Sequence, residues 1–148
     1  MRKPNNRGFW RHKVTGKTYP DERENCEYWD SYLELKVYQR LSSEINDPIL
    51  RQWRMPLIDG CYGLPTATWT TDFVIPSKRL VVEAKGTWIN NRSASAEKAK
   101  FLLQVRLAVH QGWHVIVVND KAFKVGSLQV HNCMNVDWSD PTKIFQRK

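Results

Sequence analysis

Apolar residues fall into two periods along this chain, one helical and one of strand type. Across residues 26–45, Leu33, Val37, Leu41 and Ile45 recur at every fourth position and form a single stripe, which predicts a helix. Asn46-Asp47-Pro48 ends it, because the residue before a proline avoids helical dihedrals. Residues 49–58 read as a strand, and 59–65 as a loop rich in Gly and Pro. Two short β-type runs follow, 68–75 and 80–85, separated by Pro76-Ser77-Lys78-Arg79, the signature of a hairpin. Residues 86–91 read as a loop. A second helix is expected over 95–111, with Ala99, Leu102, Leu103, Arg106 and Val109 near helical spacing and Gly112 as its stop. Residues 114–118 are apolar and β-branched, as in a buried strand. The pattern is harder to read beyond Asn119. Ahead of all this, residues 1–25 carry Arg2, Lys3, Arg7, Arg11, Lys13 and Lys17 among Pro, Asn and Gly, and read as a basic, flexible arm before a folded domain over 26–148. The order helix, strand, hairpin, helix, strand implies an α/β core with helices packed on a sheet.

Alternation along the hairpin brings acidic residues together. Glu83 and Lys85 share one face of the second strand with Val81, and Asp72 shares a face of the first with Val74. A turn centred on Ser77-Lys78 sets Ile75 opposite Leu80, Val74 opposite Val81, Phe73 opposite Val82 and Asp72 opposite Glu83, with facing Cβ atoms roughly 4.5–5.5 Å apart. Two facing carboxylates repel, and a hard divalent cation turns that cost into a site. Lys85 is close enough to act on a bound water or a phosphate oxygen. A structural ion pair between Lys85 and the acids fits this geometry equally well. Glu34 lies beside the helical stripe and can point along the sheet. Taken alone it reads more simply as a solvated helix glutamate, with Glu27, Asp30 and Glu44 as rivals on the same helix.

Bulk properties narrow the class. A chain of 148 residues with 41% hydrophobic content makes one compact domain. The excess of 23 Lys and Arg over 15 Asp and Glu gives +8, a field that attracts polyanions, although such a charge can serve solubility alone. Seven Trp fit a core as well as base stacking. Cys26, Cys61 and Cys133 are odd in number and widely spaced, as for free thiols in a reducing cytosol. No apolar run reaches membrane-spanning length and the polar start is unlike a signal peptide, so a soluble cytoplasmic protein is expected. His110, His114 and His131 lack metal-ligand spacing, and no Ser or Cys nucleophile has a partner motif.

The stretch Thr71-Asp72-Phe73-Val74-Ile75-Pro76, followed by Val82-Glu83-Ala84-Lys85-Gly86, resembles the D…(D/E)-x-K motif of the PD-(D/E)xK nuclease superfamily. Thr71 stands where a proline is customary. More narrowly, Ser31-Tyr32-Leu33-Glu34-Leu35-Lys36-Val37, together with Asp72 to Pro76 and Glu83-Ala84-Lys85-Gly86-Thr87-Trp88, resembles the phage endonuclease I family of Holliday-junction resolvases. The E-x-K pair by itself is a weak signal; the helix glutamate, the Asp-Phe hairpin and E-x-K-G-x-W in order make a stronger one. The likeness runs from Ser31 to Val118 and fades on either side.

The resemblance implies a restriction-endonuclease-like core, a mixed central β-sheet flanked by helices. It implies that Glu34, Asp72, Glu83 and Lys85 are catalytic and that Glu34, Asp72, Glu83 and Ala84 bind one or two Mg²⁺ or Mn²⁺ ions. The implied reaction is phosphodiester hydrolysis in branched DNA, carried out by a homodimer that exchanges segments, so that each site takes its helix glutamate from one chain and its hairpin residues from the other. The stretch 53–69 would bridge the two halves, and the location would be a host-cell cytoplasm if the chain is phage-encoded. Arg7, Arg11 and Lys13 of the arm and Arg92, Lys98, Lys100 and Arg106 of the second helix are candidate phosphate contacts. A restriction-like or homing enzyme of the same superfamily, and a non-catalytic basic DNA-binding protein, are the alternatives.

Overall fold

A computed structural model of the chain describes residues 8–58 and 65–141. Its first element corrects the reading of the arm. β1 (Phe9–His12), β2 (Thr18–Tyr19) and β3 (Cys26–Trp29) form an antiparallel sheet in the order β2-β1-β3. Phe9 and Trp29 are buried in the same core as Val37 and Leu41, so this sheet is anchored by aromatic residues that the surrounding charge conceals. Arg7 lies outside the described residues, as do 1–6.

α1 (Tyr32–Glu44) therefore starts later than the apolar stripe suggested. Tyr28-Trp29 is strand material, and Ser31 supplies the start signal: its Oγ accepts the Glu34 N–H at 3.1 Å. The stripe itself is as expected, with Val37, Leu41 and Ile45 buried. Of the rival acids, Glu27 belongs to β3 and Asp30 to the loop before the helix, so only Glu44 shares α1 with Glu34.

The remaining strands are β4 (Leu50–Ile58), β5 (Pro65–Ile75), β6 (Leu80–Ala84), β7 (His114–Asn119), β8 (Phe123–Val125) and β9 (Leu128–Asn132), with α2 (Ser95–His110) between β6 and β7. Among the described residues they make one six-stranded sheet in the order β4-β5-β6-β7-β9-β8. Its centre, β6-β7-β9, is parallel, and antiparallel strands close both edges, giving a mixed sheet. Strands buried on both faces read as continuous apolar runs. Leu80, Val82, Ile116 and Val118 face the core beneath α1, while Val81, Val115 and Val117 face the core beneath α2. This is the expected mixed α/β architecture, a central sheet flanked by helices.

One local reading holds only in part. α2 buries Phe101, Val105 and Ala108, whereas Leu103 is 55% exposed and Arg106 points outward. Leu102 and Val109 of the expected stripe are half-buried against the same core, so spacing found part of the buried face and missed Phe101, Val105 and Ala108. Within the stretch 53–69, expected as a bridge, the described residues pair β4 with β5 in a register that runs from Leu50↔Val74 to Ile58↔Pro65. The tip of that pair, 59–64, lies outside the described residues, as does the basic end at 142–148. Beyond Asn119, where the sequence was hard to read, β8 and β9 turn back at Gly126 (φ 61°), and Trp138 closes the α1 core, its indole N–H donating to the Cys133 carbonyl at 3.3 Å.

Candidate active site

The β5–β6 register is the one that the turn predicts: Ile75↔Leu80, Val74↔Val81 and Phe73↔Val82. The connection is a 3-10 turn over Pro76–Lys78 closed by Arg79 in the left-handed conformation (φ 50°). Backbone pairing stops after Phe73↔Val82, where Asp72 and Glu83 come next. Their side chains take over. The Asp72 N–H donates to Glu83 Oε2 at 2.7 Å, and the Ala84 N–H donates to Asp72 Oδ2 at 2.9 Å. Each carboxylate thus grips the backbone of the opposite strand.

Glu34 comes from α1 to the same place. It is only 7% exposed, and its carboxyl hydrogen-bonds that of Asp72, which in turn hydrogen-bonds Glu83. Burial, then the hydrogen bond and charge of Asp72, push the Glu34 carboxyl up to about 9. Burial, then the charge of Glu83, raise Asp72 well above the ordinary carboxylate range. Burial also raises Glu83, opposed by its hydrogen bond to Asp72 and by the charge of Lys85. All three shifts run the same way, and Glu34, raised to about 9, keeps its proton at neutral pH. Arg51 partly offsets the shift of Glu34; its guanidinium stacks on Trp29 at 3.4 Å and lies 3.8 Å from Glu27.

Lys85 follows β6 and stays beside Glu83. Its Nζ lies 4.6 Å from the centroid of Phe101, and among the described residues it forms no ion pair within 4.0 Å. Its backbone is fixed from the neighbouring strand. The Lys85 N–H donates to the Val118 carbonyl at 2.9 Å, and the Asn119 side-chain amide donates to the Lys85 carbonyl. Asn119 is buried, and its Oδ1 accepts the Lys121 N–H at 3.0 Å. One amide therefore ties the end of the E-x-K stretch to the turn after β7, an arrangement that local sequence does not signal.

A cleft of about 690 Å³ opens over the carboxyl ends of β6 and β7, the usual location of sites in sheets with parallel strands. Glu34, Ala84 and Lys85 line it, as do Tyr32, Trp88 and Lys121. Asp72 does not line it and is joined to it by its hydrogen bonds to Glu34 and to the Ala84 N–H, with Glu83 beyond. All four expected catalytic residues, Glu34, Asp72, Glu83 and Lys85, converge within this chain. The expected phosphate contacts lie elsewhere. Arg11 is ion-paired with Glu27 at 3.7 Å, Lys13 is exposed in the turn after β1, and Arg92, Lys100 and Arg106 are exposed while Lys98 is half-buried. None of these lines the cleft; Lys121, not singled out by the sequence, does.

Among the described residues no three His, Cys, Asp or Glu side chains are set out as a preformed metal site. The three carboxyls are closed on one another by hydrogen bonds. Their chemistry still fits a hard divalent cation, which takes carboxylate and carbonyl oxygens and would displace the protons they now share. No family model, no curated protein and no solved structure matches this chain.

Proposed function

We propose that this chain is a divalent-metal-dependent DNA endonuclease of the PD-(D/E)xK type, selective for branched DNA such as a Holliday junction. The observation that carries the reading is the convergence of Glu34, Asp72 and Glu83, in mutual hydrogen-bond contact, beside Lys85 and under an open cleft. Buried acids are costly to fold around, and apolar residues of similar size would serve a purely structural role better. Among the described residues Lys85 makes no carboxylate contact within 4.0 Å, although its charge acts on Glu83. A net charge of +8 supports a polyanionic substrate.

Asp72, Glu83 and the Ala84 backbone, with Glu34, would hold Mg²⁺ or Mn²⁺. Such an ion supplies Lewis acidity to the phosphate and acidity to a water molecule. Lys85 orients the attacking water or counters charge on the phosphoryl oxygens. The water oxygen bonds to phosphorus, the bond to the 3′ oxygen breaks, and that oxygen takes up a proton. Asn119 holds the Lys85 carbonyl and so fixes where the side chain begins. Selectivity for branched DNA and an exchanged homodimer rest on the resemblance. Exchange of the unit before β4 at the 46–49 linker would rebuild the same four-residue contacts between two chains.

Cleavage of a synthetic four-way junction with Mg²⁺, beside a linear duplex of the same arms, tests the reading. Junction cleavage is expected, with at least a 100-fold loss in Glu83→Gln and in Lys85→Ala, the order of magnitude of one proton-transfer group. Undiminished cleavage in both variants would sink the site. Equal cleavage of the duplex would favour a restriction-like enzyme, and binding without any cleavage a basic DNA-binding protein. In mixtures of Glu34→Ala and Asp72→Ala chains, recovered activity would establish exchange.

A further inference from the structure

The cleft has aromatic residues that neither the carboxylates nor Lys85 uses. Tyr32 opens α1 two positions before Glu34 and is 64% exposed. Its ring is not loose. Phe9 of β1 stacks against it with 4.1 Å between centroids and 17° between planes, which leaves the opposite face to the cleft and solvent. Trp88 lines the same cleft, just past Lys85. A Cβ on Gly86 would meet Trp88 Cδ1 at 2.7 Å and Nε1 at 3.0 Å, so the indole lies directly against the Gly86 backbone. The Gly and Trp of Glu83-Ala84-Lys85-Gly86-Thr87-Trp88 therefore act together: the missing side chain makes room for the ring. Lys121 adds a cation to the cleft, its backbone held by Asn119.

Trp88 is half-buried against the core beneath α2, but Tyr32, beyond the face that covers Phe9, leaves a ring held in one orientation and open to solvent, at a cost in hydrophobic stabilisation. Next to a phosphate-cutting site it has a ready use. Bases inside a duplex are covered on both faces by their neighbours, and only an unpaired base can lie flat on a protein ring. The cleft volume of about 690 Å³ suits one nucleotide and not a double helix. Lys85 and Lys121 offer positive charge to the flanking phosphates.

We propose that Tyr32, backed by Phe9 and with Trp88 as a second wall, stacks one unpaired base of the DNA strand beside the phosphate at Glu34 and Lys85. The cleft then selects strands with a lifted base, as at a branch point. The identity of the ligand as a DNA strand rests on the endonuclease reading; the aromatic platform rests on its own geometry.

Fluorescence anisotropy of labelled DNA in EDTA tests this without cleavage. The probes are a fully paired duplex, a duplex with a short single-stranded branch, and the branched DNA with an abasic site placed in turn at each nucleotide around the branch point. One abasic position is expected to weaken wild-type binding about tenfold, the scale of one base–aromatic stack. Tyr32→Ala should lose the same factor, and the same abasic probe should cost that variant nothing more. Tyr32→Phe should keep the contrast. Tyr32→Leu, which still covers Phe9 with an apolar side chain, should lose it, separating stacking from support of the fold. Equal wild-type affinity for all abasic probes, or losses from Tyr32→Ala and the abasic site that simply add, would overturn the platform. Cleavage of the intact probes with Mg²⁺ is scored separately. A protein that cuts without the abasic contrast refutes the platform alone, and one that shows the contrast without cutting refutes only the endonuclease reading.

Discussion

Replacing Glu34 by Gln should make the metal-free protein more stable at pH 8, although the same change removes a ligand from the proposed metal site. The Glu34 carboxyl moves from 4.5 to about 9 on folding, with burial as the largest cause. A raised folded-state pKa gives stability that is complete below about pH 4.5 and is lost as pH climbs towards about 9. At pH 8 full conversion at about 1.36 kcal/mol per unit would cap the cost near ~5 kcal/mol. Glu34 lines an open cleft, where water screens it, so about 2 kcal/mol is a fairer figure. The amide of Gln carries no charge and can still donate to Asp72. On the scale of a domain of this size, ~2 kcal/mol is about 4–8 °C in Tm. Thermal unfolding in EDTA at pH 5 and pH 8 reads the effect directly. Wild type should lose stability between the two, and Glu34→Gln should lose much less, with the variants nearly equal at pH 5. If Glu34→Gln is no more stable than wild type at pH 8, the carboxyl is not buried among acids as described.

Three further outcomes follow from the same geometry. Mg²⁺ at about 100 times its Kd should raise wild-type stability at pH 8 by about 2.7 kcal/mol; the gain should shrink in Glu83→Gln, as read by urea unfolding with and without the ion. Asn119→Ala removes the hydrogen bonds to the Lys85 carbonyl and the Lys121 N–H, and should cost about 1–3 kcal/mol by urea midpoint together with slower junction cleavage. Gly86→Ala puts a Cβ 2.7 Å from the Trp88 ring and should cost about 1 kcal/mol, with a changed near-ultraviolet circular dichroism spectrum as the indole is displaced.

The parts of this molecule that sequence made legible are those where one period dominates. The hairpin register was readable because Val74, Ile75, Leu80, Val81 and Val82 bound a short turn, and slipping by one residue would move every side chain to the wrong face. The α1 stripe was readable because, past Tyr32, the exposed positions Lys36, Gln39, Ser42 and Ser43 are polar. α2 was legible only in part, since Ala99 and Leu103 add apolar positions that the fold leaves exposed. β1 and β3 were hidden by charge: each strand has four residues, and Arg11, His12 and Glu27 outweigh Phe9 and Trp29 in any window average. Of the site, the facing acids were visible as a pattern and Glu34 became visible only through a resemblance. Asn119 and Lys121 had no signal, because their roles depend on β7 lying beside β6, a contact between residues far apart in the chain.

The hairpin also shows how the fold accommodates its acids. Were Asp72 and Glu83 replaced by Val, β5 and β6 could add another backbone rung beyond Phe73↔Val82 and the cluster would be sheet. With carboxylates there, two side chain-to-backbone hydrogen bonds, 2.7 Å and 2.9 Å long, stand in for that rung. The substitution works because three rungs of apolar residues below, buried on both faces, hold the strands in register without it. It also leaves the end of the sheet sensitive to whatever occupies the carboxyls. Protons keep them turned on one another, whereas a divalent cation would compete for the same oxygens and free the two backbone N–H groups to find other partners. Amide hydrogen exchange should report this: the Asp72 and Ala84 N–H groups should lose protection when Mg²⁺ is added at pH 8, while those of the apolar rungs stay unchanged. Protection of Asp72 and Ala84 that is indifferent to Mg²⁺ would mean that the carboxyl contacts are a fixed part of the sheet.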